Sequence, residues 1–346
     1  MYLTTISTMQ LSINAYAQNI DAGEEFFDDF YGGEDMVAIA TGIKTQIHKA
    51  PAVANVYTAQ QIKDMGATDI DDVLRAVPGL HISVNAIGYN PIYSFRGIHT
   101  INNGQALMMI NGIPITNAFN GNRNQVWGGM SVEAIARIEV WRGPGSAIYG
   151  ADAFSGVINI ITKNAKDIQT NETGARIGSH NTGSAWFNIG SDNGDIQYAA
   201  TLEYYKTDGS DKVIDQDRQT LNDIAQNTSV SNAPGSTSLY RENIDFRGEV
   251  NIDELTIRAG LQKRHRGIGI GLAEALDPTS RQKSTRWNLD VNYSSRINEN
   301  LEIETQATYF DTTQEAVKDY LIFPKGFAGV YQDGFIGNPE VFERHN

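Results

Sequence analysis

Cysteine is absent from the 346 residues, which removes a disulfide framework, a thiolate metal site and a cysteine nucleophile and leaves the redox compartment open. Basic residues are scarce: 27 Lys and Arg stand against 41 Asp and Glu, for a net charge of -14. Binding a nucleic-acid backbone needs clustered cations, so that class of partner is excluded. No run approaches the ~20 apolar residues of a membrane-spanning helix, and a helical membrane protein is excluded with it. The six histidines show no ligand spacing, and no nucleophile, base and oxyanion set can be assembled. Gly143-Pro144-Gly145 follows a strand but lacks GxGxxG spacing, and its proline removes an amide that would cradle phosphate. Gly267-Ile268-Gly269-Ile270-Gly271 falls in an expected loop between strands, without the helix that motif needs. No metal, no cofactor and no catalysis are therefore expected.

What is present suits an ordered chain, with 40% hydrophobic and 20% charged residues. Residues 1–17 end in Ala15-Tyr16-Ala17, the small-x-small form of a signal-peptidase site, and are expected to be a leader, although the basic leading region is missing. Residues 18–35 are acidic and aperiodic and read as a tether. Residues 36–166 combine helix and strand signals in one α/β domain. Thr58 and Gln61 form a capping box that starts a helix, with Gly66 as its stop. A second helix is expected from Asp69 to Ala76, ended by Val77-Pro78-Gly79. Asn111-Gly112 between Ala106–Ile110 and Ile113–Ile115 makes a tight hairpin. Arg137–Trp141 alternates as a strand, and Val157–Ile161 reads as a buried one.

From 167 to 346 the pattern changes to long strands of strict period two. Ile196, Tyr198, Ala200, Leu202 and Tyr204 share a face against Gln197, Thr201 and Glu203. The same alternation runs through Ile244–Ile252, Leu255–Leu261, Trp287–Tyr293 and Leu301–Tyr309, and a shorter pair lies near 175–179 and 185–189. One apolar and one polar face over about ten residues, repeated, marks transmembrane β-barrel strands. A soluble sandwich also alternates, but these strands exceed the usual length and their connections alternate short and long. Short turns at 192–195, 253–254 and 298–300 are assigned to the periplasmic side. Long polar loops after Lys206, Lys263 and Asp311 are assigned to the outside.

Residues 36–166 resemble the plug of the TonB-dependent outer-membrane receptors through an ordered series of motifs. These are Asp72–Leu80 with its Val-Pro-Gly, Tyr93–Ile98 with Arg96-Gly97, Met109–Pro114, Ile135–Gly150 and Phe154–Lys163. Asn111 stands where the family usually has aspartate. The resemblance implies a mixed fold, an α/β plug followed by antiparallel transmembrane β-barrel strands, with roughly seven strands of an expected count of about 22. It implies energised uptake, at the outer membrane of a Gram-negative bacterium, of a scarce ligand such as a ferric siderophore, haem or cobalamin. The shortfall in strands raises the alternative of a truncated fragment without transport of its own, because an open sheet edge is unsatisfied in lipid.

The resemblance also implies roles for residues. Asp35, Met36, Val37, Ala38 and Ile39 match the box that binds TonB of the inner-membrane energising complex, by adding an extended strand to a partner sheet. Arg96, Gly97, Arg137, Glu139, Arg142 and Gly143 occupy positions of a latch between plug and barrel, with Glu249, Asp290, Glu302 and Glu304 as expected wall partners. Apical loops at Asn85–Pro91 and Phe119–Arg123 put Tyr89, Asn90, Tyr93, Phe119, Asn120 and Arg123 forward as ligand contacts. Partners are thus TonB, a small-molecule ligand and outer-membrane lipid, and no nucleic acid.

Overall fold

Strand-forming segments dominate the chain because apolar residues recur mostly at every second position, the spacing of one face of a pleated strand. A computed structural model describes residues 2–17, 36–37, 45–46, 54–85, 89–116, 127–271, 274–298, 301–317, 320–323 and 335–337. In chain order the first strands are β1 (Tyr2–Ala17), β2 (Met36–Val37), β3 (Thr45–Gln46) and β4 (Ala54–Thr58). Helices α1 (Ala59–Asp64) and α2 (Ile70–Leu74) follow, then β5 (Leu80–Val84), β6 (Pro91–Phe95), β7 (Ala106–Ile110), β8 (Ile113–Pro114) and β9 (Ile135–Trp141). After helix α3 (Ser146–Tyr149) come β10 (Gly156–Thr162), β11 (Glu172–Gly178), β12 (Thr182–Ser191), β13 (Ile196–Thr207) and β14 (Val213–Ile214). Helix α4 (Arg218–Gln226) precedes β15 (Gly235–Ser236), β16 (Arg241–Ile252), β17 (Leu255–Ile270), β18 (Leu276–Asn298), β19 (Leu301–Val317), β20 (Tyr320–Phe323) and β21 (Phe335–Gly337).

The plug is built on a five-stranded sheet ordered β4-β9-β10-β7-β8. Strand β10 runs parallel to β7 and antiparallel to β9. Both faces of this sheet are covered, which is why β7 and β10 are nearly continuous apolar runs. Met108, Ile138, Val140, Ile158 and Ile160 meet α2, Phe95 and Trp127 on one side. Leu107, Met109, Trp141 and Val157 pack on the other.

Helix α1 starts at the Thr58–Gln61 capping box, with both reciprocal bonds made. Helix α2 is shorter than expected. Asp69 caps it, but the amides of Ala76 and Val77 bond back only three residues, to Val73 and Leu74, so its last turn tightens out of α geometry before Pro78. Asn111 and Gly112 have φ of 51° and 78°, the left-handed pair of a type I′ turn. The Asn111 amide explains its place in the turn: it donates to Thr162 Oγ1 at 2.8 Å and accepts from the Thr162 amide at 3.0 Å.

The barrel wall is an antiparallel sheet of eight strands ordered β1-β19-β18-β17-β16-β13-β12-β11. Seven of them lie after Lys166, as expected. Register makes the two faces explicit. Rows such as Leu202–Phe246–Leu261–Trp287 cross the outward face, where Leu202, Trp287 and Leu289 are exposed. The inward rows are polar and covered by the plug, as with Asp245, Arg264, Arg286 and Asp290.

The segment Tyr2–Ala17, expected as a leader, forms a 16-residue strand paired antiparallel with β19. Its sequence already alternates Met9, Leu11, Ile13 with Gln10, Ser12, Asn14, and the edge of β19 offers a row of amides and carbonyls to pair. The stretches directly after Lys263 and Asp311, expected as long loops, are strand, and β19 runs on to Val317. Strand β17 continues to Ile270 and is hydrogen-bonded to β18, with a register shift between Gly267 and Gly269, where Gly269 has φ 73°. The apolar alternation fades there because strand ends beyond a bilayer need no apolar face. The loop after Lys206, by contrast, is long, and residues 208–240 carry α4 and the β14–β15 pair.

Candidate plug–wall interface and ligand face

The polar inner face of β16, β17 and β18 meets the plug mainly through arginines. Arg264 is 1% exposed in its side chain. Its Nε donates to Trp127 O at 2.9 Å, and one terminal nitrogen donates to Gly129 O at 2.9 Å. The same guanidinium grips both oxygens of Asp245 at 2.9 Å, a planar fork that fixes its direction. Arg286 donates to Pro114 O at 2.8 Å, Arg266 to Asn90 Oδ1 at 2.5 Å, and Asn243 Nδ2 to Gly128 O at 3.3 Å. Further along, Arg176 of β11 pairs with Glu133, and Arg241 lies 3.9 Å from Asp69. Burial and the adjacent Asp71 carboxylate push Asp69 above the usual carboxylate range, against the opposing pull of Arg241.

The plug loop at this contact is shaped to receive Arg264. Gly128 has φ 56°, and a Cβ there would lie 2.7 Å from Arg264 Cδ. Glycine is needed both for the left-handed backbone and for the close approach. Trp127 is anchored from behind: its Nε1 donates to Tyr93 Oη at 2.9 Å, and Tyr93 in turn donates to Asp71 Oδ1 at 2.7 Å.

This arrangement reverses the expected latch. The plug supplies carbonyls and carboxylates, and the wall supplies the cations. Arg96 (φ 50°) donates to Arg142 O at 3.3 Å, Arg142 to Pro78 O at 2.9 Å, and Arg137 Nε to Glu139 Oε1 at 2.8 Å. Each of these bonds stays within the plug, where Gly97 continues the turn at φ 80° and Gly143 lies under the Trp141 indole. The expected wall acceptors are engaged inside the wall. Glu249 and Asp290 bind Arg258 at 2.8 and 3.2 Å, and Glu304 accepts from Asn292; the side chain of Glu302 lies outside the described residues. The signal that could have found the true contacts is the run Gln262-Lys263-Arg264-His265-Arg266, which sets two arginines on the inner face of one strand.

Of the expected ligand contacts, Tyr93 is corrected: it is fully buried and its hydroxyl is spent on Asp71 and Trp127. Asn90 is buried as well, against Arg266. Tyr89 (φ 49°) packs beside Gly269 of the wall, where burial pushes its hydroxyl up. Phe119, Asn120 and Arg123 lie outside the described residues. So do Asp35, Ala38 and Ile39; Met36–Val37 pair with Thr45–Gln46 in a two-residue ladder.

Residues 208–240 are held by two aspartates. Asp217 Oδ1 accepts from the Thr220 amide and the Ser231 hydroxyl, and Oδ2 accepts from the Leu276 amide, all at 2.7 Å. Asp223 accepts from the amides of Val230 and Ser231 at 2.8 Å. Burial alone would raise both carboxyls, but these donors outweigh it and hold them below the usual range.

Residues 46–157 match the family model described as the TonB-dependent receptor plug domain. Over those residues this chain carries a TonB-dependent receptor plug domain. The vitamin B12 transporter BtuB of Vibrio vulnificus is 33% identical over 135 residues, 38% of this chain and 21% of that protein. The iron-regulated outer membrane virulence protein of Vibrio cholerae is 32% identical over 161 residues, 45% of this chain and 22% of that protein. The matches to these curated relatives thus span about a fifth of their length. Among solved structures the alcaligin outer-membrane receptor FauA of Bordetella pertussis superposes with a TM-score of 0.56 at 18% identity, covering 81% of this chain and 43% of that one. That likeness concerns the fold, and it extends the plug match through the wall strands. These relatives are named as a vitamin B12 transporter, an outer membrane virulence protein and an outer membrane receptor, and the plug matched in this chain is a domain of such receptors.

Proposed function

We propose that the receptor chain serves TonB-energised import of a scarce chelate of the siderophore, haem or cobalamin kind. Ligand would meet Tyr89 and the Phe119–Arg123 loop from outside, and TonB would take hold of Asp35–Ile39 from the periplasm. The observation that carries the reading is the chemistry of the plug–wall contact. Wall arginines hold plug carbonyls at Pro114, Trp127 and Gly129. Hydrogen bonds of this sort can be exchanged for water one at a time under a pull, whereas a dry apolar interface would have to part at once. The Met36–Val37 ladder contributes only two residues of pairing, so exchanging it for a partner's sheet edge costs little.

The test is deletion of Asp35–Ile39 in cells that express the receptor, with surface binding and energised uptake measured separately on a panel of ferric siderophores, haem and cobalamin. Binding of the cognate ligand should persist and its uptake should stop. Uptake at the undeleted rate would refute the box, and failure of every member of the panel to bind would refute the ligand class.

A further inference from the structure

We propose that Glu203, Arg247 and Gln262, on the inner face of the wall, form a release patch: polar side chains that the docked plug covers without satisfying and that water satisfies when the plug withdraws. Register puts Glu203, Asp245 and Gln262 in one row across β13, β16 and β17, with Arg247 two residues along β16 from Asp245. The three side-chain bearers of the patch are 4%, 6% and 1% exposed in chain order. Among the described residues, neither oxygen of Glu203, neither end of the Gln262 amide, and neither Nε nor Nη2 of Arg247 makes a hydrogen bond. Buried polar groups are nearly always satisfied, so a contiguous set of orphans calls for a reason.

The groups around the patch are spent elsewhere or badly placed. Asp245 gives both oxygens to Arg264 at 2.9 Å and meets Arg247 Nη2 only at 3.8 Å. Arg247 Nη1 reaches Phe246 O at a long 3.4 Å. Its guanidinium lies over Gly260 of β17, where a Cβ would be 2.4 Å from Nη1. It is thus turned away from β13, which flanks β16 on the opposite side. On the plug, the Ser131 hydroxyl and the Ala134 amide lie beside Glu203 without bonding it, and Glu133 is held by Arg176. Two residues along β17 from Gln262, Arg264 grips Trp127 O and Gly129 O. A strong hold and a patch of unmade bonds therefore sit side by side. A buried group without its bond destabilises the state that buries it, whereas lumen water restores the bond. Arg247 is also a diagonal neighbour of Glu203 across β13 and β16, a spacing of roughly 7–8 Å that long side chains span. Once uncovered, the two can pair, so the wall left behind by the plug is better satisfied than the wall beneath it. The release role rests on the import reading, but the effect on docking needs neither TonB nor ligand.

The experiment uses the whole chain in detergent micelles, native and with Glu203→Met, Arg247→Met and Gln262→Met combined, which removes one acid and one base together. Hydrogen exchange at the Ile70 amide, bonded to Met130 O at 3.0 Å, reads opening of the plug beside the patch. It should slow by roughly fivefold or more, the effect of relieving about one buried orphan group, while amides of the β16–β17 ladder keep their native rates. Gln262→Met alone, which touches no charge, should slow Ile70 as well, and it decides the matter where the combined variant fails to fold. Unchanged exchange at Ile70 would overturn the proposal, because ordered water would then already satisfy the patch. Faster exchange would overturn it in favour of a second grip. In cells, the combined variant should bind the cognate chelate at the surface as the native receptor does and import it more slowly. Slower exchange with native uptake would refute the release role, whereas a native receptor without energised uptake would count against the import reading and leave the docking effect to the exchange data.

Discussion

Replacing Arg264 with methionine tests whether wall arginines hold the plug. The side chain is 1% exposed and ties Trp127 O, Gly129 O and both oxygens of Asp245. Methionine keeps most of the apolar stem but leaves Asp245 without its main counter-charge and two plug carbonyls without their wall donor. Removing one member of a buried pair costs about 3–5 kcal/mol, because the remaining charge stays buried. The cost should be local to the contact, so the assay is hydrogen exchange at the Ile70 amide, which donates to Met130 O at 3.0 Å just beyond the contact. At about 1.36 kcal/mol per tenfold, a loss of about 3 kcal/mol accelerates exchange through that opening roughly 150-fold. Adding Asp245→Leu should recover much of the loss, since a pair replaced by apolar groups is far less costly than a pair cut in half. Exchange within threefold of the native rate in Arg264→Met, with the chain otherwise folded, would refute the reasoning.

Gly156→Ala should destabilise the plug by about 1–3 kcal/mol, because the new Cβ would sit 2.6 Å from the Phe95 ring in a filled core; denaturant unfolding that leaves the midpoint unmoved would show that the ring yields freely. The extracellular loop should be acid-sensitive in a defined window. Asp217 and Asp223 are held below their ordinary value of 3.8, so their contribution is complete above that value and is lost as pH falls through the lowered folded-state values. Protection of the Leu276 amide, corrected for intrinsic exchange, should therefore hold from neutral pH down to about 4 and fail below it; failure near pH 6 would assign the loop's stability to other groups.

Much of the fold could be read from the order of residues. The Thr58–Gln61 box, the Asn111-Gly112 turn and the period-two strands from Ile196 to Tyr309 are local patterns, and local sterics and one-sided burial decide them wherever they occur. The extent of β17 was not legible, because beyond Lys263 neither face is pressed against lipid and the alternation that announces a strand disappears.

The latch shows where local pattern stops. Arg96, Arg137 and Arg142 announce themselves by charge and motif, yet the bonds they donate to Arg142 O, Glu139 Oε1 and Pro78 O stay within the plug. Arg264 looks in sequence like any polar residue of an alternating strand; it becomes the clamp on Trp127 and Gly129 only because β17 and the plug loop, separated by |i−j| of 137 and 135, are brought face to face. Tyr93 likewise reads as a loop aromatic until β6 turns it inward onto Asp71. Residue order by itself determined which segments pair, where they turn and which wall face is apolar, since those follow from nearest-neighbour geometry. Tertiary structure alone decided which charged groups meet, because a buried charge takes whatever partner the packing of distant strands leaves within reach.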